Sequence, residues 1–198
     1  LDCTEENWAG YPFRFEFSCT SPVFVMADRL DVRTGNLLLV ALAYNPWQVV
    51  ALVDGPTSAI GKDVLPLKAE HGRIIASLTF NRSGFTNFSS EFPNLSIAGL
   101  GSAKTFMLHA RPASGDAVEI AASVEALAIQ PPGRPQIDVA TGQFQGIVSP
   151  QKTFEIETFS AQTKDIQVQA KGKLGLDGLN RPEGTIATET SDLQGLLD

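Results

Sequence analysis

The chain alternates between apolar and polar positions over much of its length. Residues 13 to 19 set Phe13, Phe15, Phe17 and Cys19 on one side and Arg14, Glu16 and Ser18 on the other. Period-two alternation with aromatic residues predicts a half-buried strand. Ile74, Ala76, Leu78 and Phe80 alternate with Ile75, Ser77 and Thr79. Val118 to Ala128 repeats the pattern, as does 165 to 176, where Ile166, Val168, Ala170, Leu174 and Leu176 oppose Asp165, Gln167, Gln169, Lys171 and Lys173. Further strands are predicted over 23–33, 95–98, 104–110, 136–148, 153–159 and 184–190.

Two segments break the rule. Leu37 to Tyr44 and Val49 to Val53 are apolar on both faces. Either both faces are covered by protein, or one face lines an apolar cavity. Phe85, Phe88 and Phe92 fall at i, i+3 and i+7, the spacing of a short amphipathic helix, with Pro93 to stop it. That stripe reads as a plug filling the sheet's end, a lid on an apolar groove, or a membrane-touching patch.

Turn chemistry punctuates the strands. Thr34-Gly35-Asn36, Asn45-Pro46-Trp47, Asp54-Gly55-Pro56, Gly61-Lys62-Asp63 and Asp177-Gly178-Leu179-Asn180 read as turns. Pro131 to Pro135 reads as a stiff loop or hinge. Ser191-Asp192 predicts the cap of a short terminal helix carrying Leu193, Leu196 and Leu197. The expectation is one mainly all-β domain over residues 1–198. It is an antiparallel meander of eleven or twelve strands with one or two short helices, forming a long curved sheet or an open or closed barrel. No segment of crossover-helix length separates the strands, which disfavours a parallel α/β sheet.

Composition narrows the partners. A net charge of −7 and a pI near 4.8 disfavour nucleic acid, which needs a basic face. No run of about eighteen apolar residues exists to span a membrane as a helix. No signal-peptide pattern is present. Leu1 is not an initiator methionine, so the chain reads as trimmed or processed. The two cysteines, Cys3 and Cys19, flank the first strand. A bridge would close a loop of about fifteen residues, worth roughly 3 kcal/mol in the chain-entropy model; two buried free thiols are the alternative.

Candidate chemistry is sparse. His71 and His109 are isolated from each other and from any metal-ligand spacing. No nucleophile elbow pairs with either histidine. Gly99-Leu100-Gly101-Ser102 lacks the lysine and helix of a phosphate loop. Asp177, Asn180 and Glu183 miss the calcium-hand spacing and read as a hairpin turn. Three sequons, at Asn81, Asn87 and Asn94, read as polar loop residues. Trp8, Tyr11, Tyr44 and Trp47 read as residues sealing the end of a sheet, or as a stacking site for a ligand. No catalytic residue, metal or cofactor is expected.

Cys3 and Cys19 around Gly-Tyr-Pro-Phe-Arg-Phe-Glu-Phe (residues 10–17), followed by Ala43-Tyr44-Asn45-Pro46, resembles the bacterial envelope family called domain of unknown function 2125. The matching motifs cover about the first third of the chain. Residues 172–177, 181–184 and 192–197 are similar to the closing hairpin and helix of AsmA-like envelope proteins. The resemblance implies a Gram-negative periplasmic body with an inner-membrane signal anchor ahead of the residues in hand. It implies no catalytic residues. AsmA-like relatives imply a curved sheet with an apolar inner face that accommodates lipid.

The function expected is therefore non-enzymatic: an envelope protein holding lipid or another apolar ligand in a groove. The groove residues expected are Leu38, Val40, Leu42, Val50, Leu52, Phe85, Phe88 and Phe92. The partners expected are lipid or a membrane surface, or another envelope protein. A structural or protein-interaction module without a small-molecule ligand is the alternative, and an enzyme would need polar groups converging in a pocket.

Overall fold

A computed structural model describes all residues except 27–29, 62–63, 132, 152, 177–180 and 193–198. It is 73% strand and 2% helical. In chain order the strands are β1 (Glu5–Ala9), β2 (Arg14–Thr20), β3 (Val23–Met26), β4 (Leu30–Arg33), β5 (Leu37–Leu42), β6 (Asn45–Val53), β7 (Thr57–Gly61) and β8 (Val64–Glu70). They continue with β9 (Ile74–Asn81), β10 (Gly84–Ile97), β11 (Gly101–Pro112), β12 (Val118–Ile129), β13 (Ile137–Val148), β14 (Phe154–Gln162), β15 (Gln167–Leu176) and β16 (Pro182–Thr190).

All of them form one antiparallel sheet, which curves without closing. Its main path runs β1-β2-β5-β6-β9-β10-β11-β12-β13-β14-β15-β16. A second branch, β3-β4-β7-β8, returns to β10, where Ser96 and Ile97 pair with Glu70 and Ala69. The branch has a simple cause. β2 and β3, β4 and β5, β6 and β7, and β8 and β9 are each one long strand broken by a kink. The kinks fall at Ser21-Pro22, Thr34-Gly35-Asn36, Asp54-Gly55-Pro56 and His71-Gly72-Arg73. They line up into a crease across the N-terminal half, and β10 passes it unbroken.

Polar groups stitch the crease. Gly35 N–H donates to Asp54 O at 2.9 Å, and Gly72 N–H donates to Pro93 O at 2.8 Å. Thr34 Oγ1 donates to Asp54 O at 2.9 Å, and Thr57 Oγ1 lies 2.8 Å from His71 Nε2. Arg73 Nε meets Asp54 Oδ1 at 2.7 Å. That hydrogen bond and the Asp54 charge raise the Arg73 pKa from its ordinary value, with burial opposing slightly. A side chain on Gly55 would run into the His71 carbonyl, so the kink needs glycine there. The Cys3–Cys19 disulfide ties the N-terminal arm beside the crease, as the paired cysteines predicted.

Four expectations are corrected. Residues 84–93 are not a helix: they belong to β10. A bulge between Phe85 and Asn87 inserts one residue, so Phe85 and Phe88 share a face at a spacing of three, which imitates a helical stripe. Residues 23–33 hold two strands, β3 and β4, not one. The strand total is sixteen because the crease divides four long strands. Asn87 and Asn94 lie in β10 rather than in loops. The terminal helix at Leu193, Leu196 and Leu197, the turn at Asp177–Asn180 and part of the turn at Gly61–Asp63 lie outside the described residues.

Burial is thin for a chain this long. Among the described residues the buried hydrophobic set is Cys19, Leu37, Ala69, Ala103, Ala117 and Val139. Cys19, Leu37 and Ala69 sit within a few residues of a kink, where the bend brings atoms together. The accessible surface is 13406 Å², whereas a compact monomer of this mass exposes about 9,000 Å².

Candidate functional site: an open apolar sheet face

Strand partners share a face of a sheet and successive residues alternate between faces. The register therefore reads out each face as rows running across the strands. One row runs Phe15, Ala41, Val49, Leu78, Phe88, Ala110, Ile120, Gly146, Ile156, Gly172, Ile186 from β2 to β16, with no polar member. The row beside it runs from Trp8 through Phe17, Leu39, Ala51 and Ala76 to Ser90, then on through Leu108, Ala122, Phe144 and Phe159. A third contains Phe92, Phe106, Val124 and Gly142. The opposite face reads Ser18, Leu38, Leu52, Ile75, Glu91, Met107, Ser123, Gln143, Ser160, Gln169, Glu189. In this row it is apolar at Leu38, Leu52, Ile75 and Met107, on β5, β6, β9 and β11, and polar elsewhere.

The apolar face has a definite relief. Phe92 and Phe106 pack at 5.7 Å, and Phe144 stacks on Phe154 at 5.4 Å. Gly142, Gly146 and Gly172 lower the floor beside them; a Cβ at Gly142 would lie 2.9 Å from Val124 Cγ1. At the β1–β2 end, Trp8, Phe15, Phe17, Leu39 and Val49 line a hollow of about 320 Å³. The only polar side chain in the central rows of β6 to β14 is Ser90, whose buried Oγ has no hydrogen-bond partner. With twelve strands on the main path the sheet extends ~53 Å across its strands, at ~4.8 Å per gap.

The expected groove residues divide. Phe85, Phe88 and Phe92 come together on the apolar face. Leu38, Val40, Val50 and Leu52 face the other way, because Leu39 and Ala41 are the residues that pair with Phe17 and Phe15, yet Val40 still borders the hollow at the β1–β2 end. Leu42 ends β5 beside a register shift and is exposed. The β5 and β6 residues on the apolar face are Leu37, Leu39, Ala41, Val49, Ala51 and Val53. Two-sided apolar strands carry no facing signal of their own, but the aromatic alternation of β2 beside them does.

Polar chemistry stays dispersed. His109 lies on the polar face between Ser89 and Ala121. Its neighbour Glu119 is held by Arg111 through two bonds of 2.8 Å and by Gln145 at 3.3 Å. His71 is used by the crease, with Thr57 and Gly72 O on its two ring nitrogens. No group of three or more His, Cys, Asp or Glu side chains able to hold a metal occurs among the described residues. No described helix is long and apolar enough to cross a membrane.

An open antiparallel meander with one apolar and one polar face is the class of protein that fold and site define. The chain belongs to the bacterial family DUF2125, described as uncharacterized protein conserved in bacteria, and the match covers residues 1–198. Comparison with curated proteins and with solved structures finds no match.

Proposed function

We propose that this is a non-enzymatic protein of the bacterial cell envelope that holds the acyl chains of a lipid along its open apolar face. The observation that carries the reading is the unbroken apolar row from Phe15 to Ile186, on a sheet with no second layer over it among the described residues. Burying each methylene against such a face is worth about 0.8 kcal/mol. The surface excess of about 4,000 Å² over a compact monomer is the area that covering ligand would reduce. The Cys3–Cys19 disulfide suits an oxidising compartment, and the periplasm is the site we assign on that ground. The likeness of the C-terminal segments to AsmA-like envelope proteins belongs to the same proposal.

Native mass spectrometry of detergent-free protein, followed by organic extraction, tests it. Phospholipid at near-stoichiometric level is the expected result. A clean apo mass that stays unchanged when lipid is added would overturn it. It would leave the apolar face to a protein partner.

A further inference from the structure

The chain has two tryptophans and two tyrosines, and all four lie at one end of the sheet. Trp8 and Tyr11 belong to the β1–β2 hairpin, Tyr44 and Trp47 to the β5–β6 hairpin. The two tips adjoin: Ala43 N–H donates to Phe13 O at 2.9 Å, and Arg14 pairs with Leu42. Trp8, Tyr11, Phe13 and Tyr44 are 71, 85, 77 and 80% exposed. They do not seal the sheet. Trp8 rests on Phe17 at 4.8 Å and Trp47 stands edge-on to Phe80 at 5.6 Å, so each ring is braced against the apolar face.

We propose that these two hairpin tips dock the protein on a phospholipid bilayer surface. Tryptophan and tyrosine pair an apolar body with a polar tip, which suits the boundary between acyl chains and headgroups. The charge pattern selects zwitterionic lipid. Residues 9–13 and 43–47 carry no charge at all. On β2 the nearest ionic groups, Arg14 and Glu16, neutralise each other at 2.6 Å, and the adjoining β9–β10 turn adds the single cation Arg82. Nothing at the tips repels a neutral surface, and no cationic cluster seeks an anionic one. The tips are also continuous with the hollow lined by Trp8, Phe15 and Phe17, so docking sets the end of the apolar face against the acyl layer. The opposite end carries the β10–β11 turn, where Leu100 is exposed without an aromatic neighbour in that turn.

Because both tryptophans sit at this end, intrinsic fluorescence reads the docking directly. The purified protein is mixed with phosphatidylcholine vesicles containing lipid brominated near the headgroup end of its acyl chains. The expected result is quenching and a blue shift that 0.5 M NaCl, with a Debye length of about 4 Å, leaves unchanged. Tyr11→Ser combined with Tyr44→Ser is expected to weaken binding ~tenfold or more, which corresponds to ~1.4 kcal/mol or more. Leu100→Ser at the other end is expected to leave it unchanged. Four results would overturn the proposal: no vesicle binding; binding only to anionic vesicles and lost in salt; binding indifferent to the tyrosine pair; or a blue shift that follows protein concentration without vesicles, which would assign the tips to a second copy of the chain. The proposal stands apart from acyl-chain binding along the apolar face, since lipid extraction can fail while vesicle docking succeeds.

Discussion

Leu78 and Ile75 lie on one strand, β9, and face opposite ways. Leu78 pairs with Val49 and Phe88 on the apolar face; Ile75 pairs with Leu52 and Glu91 on the other. They are 40 and 48% exposed. Full burial of a leucine or isoleucine contributes about 1.5–3 kcal/mol. At 40% exposure, replacing Leu78 by lysine should therefore cost about 1–2 kcal/mol, because on an open face the ammonium reaches water along its stem. Ile75→Lys should cost a similar amount. Were the apolar face covered as a core, Leu78→Lys would leave an unpaired buried charge, costing above ~4 kcal/mol. The two variants differ in ligand. A lysine at Leu78 that displaces about three methylenes of a bound chain costs about 2.4 kcal/mol, roughly fiftyfold in Kd. Ile75→Lys should leave binding unchanged. Urea denaturation gives the first quantity and titration with a fluorescent fatty acid the second. Equal losses of binding in both variants, or a collapse of stability confined to Leu78→Lys, would refute the reasoning.

Three further outcomes are expected. Cys3→Ser with Cys19→Ser should lower unfolding free energy by about 3 kcal/mol, read from urea midpoints; an unchanged midpoint would show that the bridge constrains little. Ser90 is 4% exposed and its hydroxyl has no partner, so Ser90→Ala should be neutral or stabilise by up to about 1 kcal/mol; a loss above that would mean the hydroxyl has a role in the sheet. Ala126 has φ +49°, a conformation that L-residues adopt at a cost of about 1–2 kcal/mol. Allowing for the entropy glycine adds to the unfolded chain, Ala126→Gly should still raise the thermal midpoint slightly, and a lower midpoint would contradict the strain.

The strands were legible because alternation survives in sequence. Phe13 to Cys19, Ile74 to Phe80 and Val118 to Val124 each hold one phase. Where the phase changes, the reading faltered. The bulge after Phe85 turned an even spacing into three and suggested a helix. In β10 the apolar set passes from even residues, Phe88 and Phe92, to odd ones, Leu95 and Ile97, across Asn94 at φ +52°. In β12 it passes from Ile120, Ala122 and Val124 to Leu127 and Ile129 across Ala126. The crease was missed for a related reason: Gly and Pro mark kinks and chain reversals alike. Gly55-Pro56 bends one long strand, whereas Gly10 to Pro12 reverses the chain. The open face itself was half legible. Aromatic residues at Phe88 and Phe92 pointed to it, but the facing of Leu38, Val40, Val50 and Leu52 was set by the register with β2 and β9, which their own apolar pattern does not encode.

Once the crease is taken as a bend in continuous strands, the sheet has a consequence for how the molecule is made and altered. Each long strand then pairs only with the one before it and the one after it in the chain, from β1 to β16. Assembly can proceed hairpin by hairpin behind synthesis, with little loop to close at each step. Length is also adjustable in the manner of a repeat protein. Removing β15 and β16 would shorten the apolar face by two strands and present β14 as the new edge, and inserting a hairpin would lengthen it, without disturbing the registers elsewhere. A gene built this way can tune the reach of its product by adding or dropping pairs of strands.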